Sequence, residues 1–450
     1  MKRRQFIKNT MLAMPSISLM MSALACSDDD IINTDKTVIV IGAGVSGLAA
    51  AKYLSNRNVT VNVIEAQSKV GGRLKTNRSL GIAFDEGASW IHGPIGNPIT
   101  ELINPSGVNT FITNDDNVEV YDMNGSVYDE NVLDTSENEY NNILNSLAGS
   151  IDKSFEEVFY DNYPQYKNNR LWSYMLSAFL EFDTGGDISE LSSLDYYDDE
   201  EFSGDDIIVT NGYDRIADYL AKGLNIELNK KVTGIDYSGP KVLVSTTDQE
   251  YSADYVIVTV PLGVLKNNVV NFTPSLSGNI QNSINNLKMG TVNKFLCVWD
   301  TPFWDANLQY IGYTPETMGK FNYFLNLNKF SESNALITFA FGDYSRTTEN
   351  MSDNEVIDEI MDHLKSIYGS EIPEPTKFLR TKWVSNEYTF GSYSFATNGT
   401  RTSDFSVFEE SMNNKLFFAG ENTSKDYRGT VHGAYNSGFR AAEQITGLLQ

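Results

Sequence analysis

The chain has 450 residues, enough for two or three domains. Its 41% hydrophobic and 12% aromatic content suits an ordinary globular core, and no stretch beyond residue 30 is long and apolar enough to cross a bilayer. Lys and Arg number 34 against 59 Asp and Glu, a net charge of −25, which argues against a nucleic-acid partner and suits solubility or a cationic ligand.

In chain order, residues 1–25 read as an export signal and take no part in the fold. Arg3 and Arg4 ahead of Phe6 and Lys8 resemble a twin-arginine signal, the bacterial route that carries folded, often cofactor-loaded proteins. The apolar run from Met11 to Ala25 ends in "ALAC" and then "SDDD". That ending resembles a lipoprotein signal, with Cys26 as the lipidated N-terminus and residues 26–35 as a tether; an uncleaved membrane anchor is the alternative. The expectation is an exported, periplasmic or cell-surface protein, lipid-anchored to a bacterial membrane. With Cys26 acylated, Cys297 has no partner and the mature chain has no internal disulfide.

The segment "KTVIVIGAGVSGLAAAKYL" (36–54) is a β-branched run, a glycine-rich turn and a small-residue helix. Gly42 permits the tight turn, Gly44 lets a pyrophosphate approach the backbone, and Gly47 allows close strand–helix packing, with Ser46 in the first helical turn. A second strand, "VTVNVIEA" (59–66), carries Glu65 where a carboxylate accepts the ribose hydroxyls of a dinucleotide. Beyond it, "NVEVYDMNGSVYDE" (117–130) reads as a hairpin turning at Asn124-Gly125, and helix formers occupy roughly 137–182. The acidic run 195–206 reads as a solvated loop, with a polyamine funnel as the alternative. Strands are predicted at 294–300, 308–313, 322–327 and 335–341, with a helix near 354–368. His363 falls on that helix and is expected at the surface.

Further stretches resemble the FAD-dependent amine oxidases, and in particular their polyamine and spermine oxidase branch. These are "GGR" (71–73), "GASWIHG" (87–93), "VIVTVPLGVLK" (256–266), "AGE" (419–421) and "TVHGAYNSGFRAA" (430–442). The resemblance spans about residues 36–450 and implies a two-domain α/β flavoprotein. Its FAD domain is a discontinuous Rossmann-like unit from 36–98, 205–265 and 380–450; segments 99–204 and 266–379 form a substrate domain with a mixed sheet and helices. It also implies noncovalent FAD, and no metal.

The same resemblance assigns residues. Gly71, Gly72 and Arg73 meet the cofactor phosphates, and Val232 its adenine; Gly420 and Glu421 meet the ribityl or pyrophosphate portion. Gly87, Ala88, Ser89 and Trp90 pass along the flavin, Trp383 packs near it, and the Thr430-Val431 backbone meets its ring. His92 faces the substrate beside Trp90, and Lys294 holds a water at flavin N5. Tyr393 is one wall of a substrate cage whose second wall position is Thr430; His432 is structural. Ser392 stands where monoamine oxidases carry the cysteine that links FAD, and no arginine in 87–98 clamps a substrate carboxylate. The expected activity is oxidation of a polyamine or related amine with O2 as acceptor. The alternatives are a monoamine or amino-acid oxidase or dehydrogenase on the same fold, and a non-catalytic FAD-containing binding lipoprotein.

Overall fold

The computed structural model describes residues 31–147, 151–196 and 199–450. The export signal and Cys26 lie outside the described residues. Five parallel strands form one sheet, in the order Leu416–Phe418, Tyr255–Val258, Thr37–Ile41, Thr60–Ile64, Ile226–Glu227. The β-branched runs buried here pack on both faces, as a parallel sheet requires. Val38 and Val40 point into one core, with Leu48, Leu54 and Ile445 of the covering helices. Ile39 and Ile41 point into the other, with Val256, Val258 and Ile280. The strand period of two therefore divides one apolar run between two cores.

The first helix, Val45–Asn56, lies against the last, Val431–Leu449. A Cβ on Gly438 would lie 2.2 Å from the Ser46 carbonyl oxygen, so that crossing needs a glycine. The sheet draws its strands from residues 37–64, 226–258 and 416–418, so the domain is discontinuous. Residues 270–289 also pack with it, against the expectation that this domain's middle segment closes at 265. Asn271–Thr273 pairs in parallel with Val232–Asp236, and Ile280, Ile284 and Leu287 join the core of Ile39 and Val256.

A second, mixed sheet has the order Lys377–Arg380, Val292–Val298, Ala335–Phe341, Lys320–Asn326, Tyr310–Tyr313, Val118–Tyr121. Its edge strand begins at Lys377, so the expected boundary at 380 cuts through that strand. The Asn124-Gly125 turn forms, with the Asp122 N–H donating to Ser126 O at 2.8 Å, but the hairpin does not develop. Only a Tyr121–Val127 bridge joins its limbs, because Val118–Tyr121 runs parallel to Tyr310–Tyr313 and the return limb leads into helix Glu130–Leu147. One face of this sheet, with Leu296, Phe339 and Leu325, packs on helices Glu130–Leu147, Phe155–Asn162 and Arg170–Met175. The other face, with Phe295, Cys297 and Phe324, is covered by helix Asp353–Tyr368. That helix turns His363 inward: the ring is buried, its Nδ1 lies 3.2 Å from Phe321 O, and burial lowers its pKa to about 4. The surface expectation for His363 fails because its position falls on the inward stripe with Ile360 and Leu364.

Candidate active site

The glycine turn follows directly from the first strand. Gly42 has φ +105°, a left-handed conformation, and a Cβ there would meet Thr259 Oγ1 at 2.5 Å. A Cβ on Gly47 would lie 2.0 Å from Gly42 O, so this residue packs beneath the turn. Gly44 is different: no atom lies within 4 Å of its Cβ position, and that space belongs to a cavity of about 280 Å³. Gly44 is also the N-cap of the first helix and supplies no side-chain cap, leaving that terminus to an anion. Glu65 is buried beside it; its Oε2 accepts the Ala43 N–H at 2.7 Å and its Oε1 the Gln67 N–H at 2.8 Å. Burial raises the Glu65 pKa against these two backbone donors. Each oxygen keeps a further lone pair for a ribose hydroxyl.

All but one of the residues assigned to cofactor or substrate line this one cavity, and Gly47, behind the turn, is the exception. Gly42, Gly44, Ser46, Glu65 and Val232 line it with Gly71, Gly72 and Arg73, and Gly420, Glu421 and Val431 also face it. Ser46 Oγ lies 3.3 Å from Ser437 Oγ, and Gly71 bridges to Gly44. Arg73 reaches across the cavity wall: its Nη1 donates to Glu421 Oε1 and to Ser392 O, both at 2.8 Å. The other Glu421 oxygen accepts Ser394 Oγ–H at 2.5 Å and the Gly429 N–H at 3.2 Å. Ser392 Oγ accepts the Val292 N–H at 3.2 Å.

Lys294, in strand Val292–Val298, places a buried ammonium against the 85–90 loop. Its Nζ donates to Asp85 O at 3.1 Å and to Gly87 O and Ser89 Oγ, both at 2.5 Å. Burial lowers its pKa to about 8, while the nearby Asp85 carboxylate opposes that shift. Asp85 is itself buried and raised to about 6. The ammonium thus has all three hydrogens on protein acceptors, so a water there would have to share one of them or be held by Ser89. Nζ also lies 5.7 Å from the Trp90 ring centroid. Ala88 lines the cavity between these contacts, and Trp383 closes it with Nε1 donating to Glu86 O at 3.3 Å.

Aromatic walls define the substrate end. Trp90 meets Phe182 edge-on at 6.0 Å, and the Tyr393 hydroxyl donates to Phe182 O. The Tyr393 ring is packed so closely on Gly185 that a Cβ there would meet it at 2.5 Å. Thr430 lines the cavity, but its hydroxyl caps the last helix, accepting the Gly433 N–H at 2.9 Å and donating to Tyr427 O at 2.8 Å. His432 is buried, with Nδ1 3.3 Å from Asn97 Nδ2 and edge contacts to Phe202 and Tyr427. His92 lines the cavity, and its Nδ1 lies 2.6 Å from Asp206 Oδ2. Sequence reasoning missed Phe182 and Asp206. The first closes a run read only as helix-forming, with no site signal, and the second ends an acidic run read as solvated.

Residues 45–446 match the flavin containing amine oxidoreductase family. The chain belongs to that family. It is 35% identical over 431 residues to polyamine oxidase 4 of Oryza sativa subsp. japonica, covering 91% of this chain and 88% of that one. It is 30% identical over 440 residues to human lysine-specific histone demethylase 2, covering 91% of this chain and 53% of the relative. In fold it is similar to a solved double mutant of putrescine oxidase made in a redesign of cofactor binding, with TM-score 0.75 and 20% identity over 92% of this chain and 99% of that one. As a flavin amine oxidoreductase the chain uses FAD, and the residues present fit it. The open cradle at Gly44, the buried Glu65 and the single cavity running to Lys294 and Tyr393 suit a long dinucleotide with its reactive ring at the aromatic end.

Proposed function

We propose that this amine oxidoreductase oxidises a polyamine or related amine, holds FAD noncovalently and passes electrons to O2. The observation that carries the reading is the aromatic end of the cavity, where Trp90, Phe182 and Tyr393 surround the approach to His92 and Lys294. Bound FAD supplies the two-electron acceptor that converts an amine to an imine, which water hydrolyses to an aldehyde, and O2 regenerates the cofactor with release of H2O2. The chain's own residues bind and orient. Aromatic faces attract a cationic amine, His92 offers a nitrogen to it, and Lys294 fixes the 85–90 loop beside it through Asp85, Gly87 and Ser89. Ser392, with no thiol, supports noncovalent FAD.

A panel of di- and polyamines, monoamines and amino acids, read by peroxide release and product mass, tests the assignment. Polyamines should be the preferred substrates; preference for a monoamine or amino acid, or no amine-dependent peroxide at all, overturns it. The N-terminal motifs support export and a lipid anchor at Cys26. Arg3→Lys with Arg4→Lys should block export, and Cys26→Ser should free the protein from the membrane; retention of Cys26→Ser in the membrane would point to an uncleaved helix.

A further inference from the structure

The acidic run 195–206 is not wholly directed at solvent. At its end, Asp206 holds two neighbours at once: Oδ2 lies 2.6 Å from His92 Nδ1, and Oδ1 accepts the Gly93 N–H at 2.9 Å. The Asp206 backbone is fixed too, since its carbonyl accepts both the N–H and the hydroxyl of Thr113 at 2.8 Å. The next residue, Ile207, opens a strand that pairs with Ile91 on one side and Ile112 on the other. On the histidine side, Asn97 Nδ2 donates to His92 O at 2.8 Å. The imidazole is therefore held by its ring, its carbonyl and the amide that follows it.

An ionised carboxylate only accepts hydrogen bonds, so the short contact places the hydrogen on Nδ1. The neutral ring then carries its lone pair on Nε2. His92 lines the cavity with 29% of its side chain accessible, and among the described residues no protein group bonds Nε2.

We propose that Asp206 is a positioning residue that holds His92 in the Nδ1–H tautomer, so that Nε2 accepts a proton from the ammonium group of an amine substrate. This rests on the reading of His92 as a substrate-facing group. In the step, an N–H bond of the ammonium breaks and an Nε2–H bond forms. The electron pair stays on the substrate nitrogen, which becomes the uncharged amine that can be oxidised. The imidazolium so formed is paired with the Asp206 carboxylate, and no electron is transferred.

The chain has three histidines, so 15N-imidazole spectra of the holoenzyme are simple, and His92→Gln identifies the His92 signals. The wild type should show His92 protonated at Nδ1 and bare at Nε2. Asp206→Asn should lose that tautomer and lower kcat/KM for the amine roughly tenfold or more, with FAD content unchanged. In the His92→Gln background, Asp206→Asn should cost nothing further. A bare Nδ1 in the wild type, or losses that multiply in the double variant, would overturn the proposal. Wild-type turnover by His92→Gln would instead sink the substrate-facing reading of His92, and the spectrum would still report whether Asp206 sets the tautomer.

Discussion

Lys294 makes three hydrogen bonds to the 85–90 loop from the middle of an apolar strand. Lys294→Met keeps the stem and removes the amine, so FAD should stay bound through the glycine turn, Glu65, Arg73 and Glu421. The reduction or reoxidation half-reaction should slow by about tenfold or more, some 1.4 kcal/mol of barrier; stopped-flow traces at wild-type speed would remove Lys294 from the chemistry. The same lysine has a stability signature. Its folded pKa, about 8, lies below the ordinary 10.5, so between these values the unfolded chain binds more protons than the native one. This group therefore makes stability rise with pH across that window, and contributes no slope below it. Urea unfolding at pH 8 and pH 10 should show the wild type gaining stability relative to Lys294→Met; equal slopes would mean the amine is not buried.

Among the elements, the crossing of the first and last helices joins stability to cofactor retention. Gly438 meets the Ser46 carbonyl at the turn that faces the cavity. Gly438→Ala should push the helices apart, costing about 1–3 kcal/mol and weakening FAD binding in the same variant. Gly447→Ala on the same helix has no atom within 4 Å of the new methyl. It should stabilise by roughly 0.5–1 kcal/mol and leave FAD affinity alone. Chemical denaturation with FAD titration separates the two; a neutral Gly438→Ala would show that the crossing tolerates a methyl. Helix Asp353–Tyr368 is legible from its Ser352–Glu355 capping box and apolar period. The hairpin at 124–125 was misjudged because a turn signal says where the chain bends, and neighbouring strands decide what it pairs with.

Across the whole molecule, the cavity is built from residues near 41–92, at 182, 183 and 213, and near 230–294 and 383–434, so FAD bridges segments distant in sequence. A ligand that binds only the native state stabilises it by mass action, about 2.7 kcal/mol at a hundredfold excess over Kd. Calorimetry of the stripped protein should show a lower Tm that FAD restores in a concentration-dependent way. An unchanged Tm would mean that FAD does not bind the native fold.

The sequence by itself determined the nucleotide turn and the apolar strands. Gly42, Gly44, Gly47 and Glu65 are set by backbone geometry over a short span, and the alternation of Val38 to Ile41 already encodes two buried faces. Tertiary structure alone decided the partners. Arg73 and Glu421 are 348 residues apart, His92 and Asp206 are 114 apart, and Thr430 turned out to cap a helix. Such pairs depend on which loops the packed domains bring within about 3 Å, and a charge or hydroxyl in a sequence carries no record of that distance.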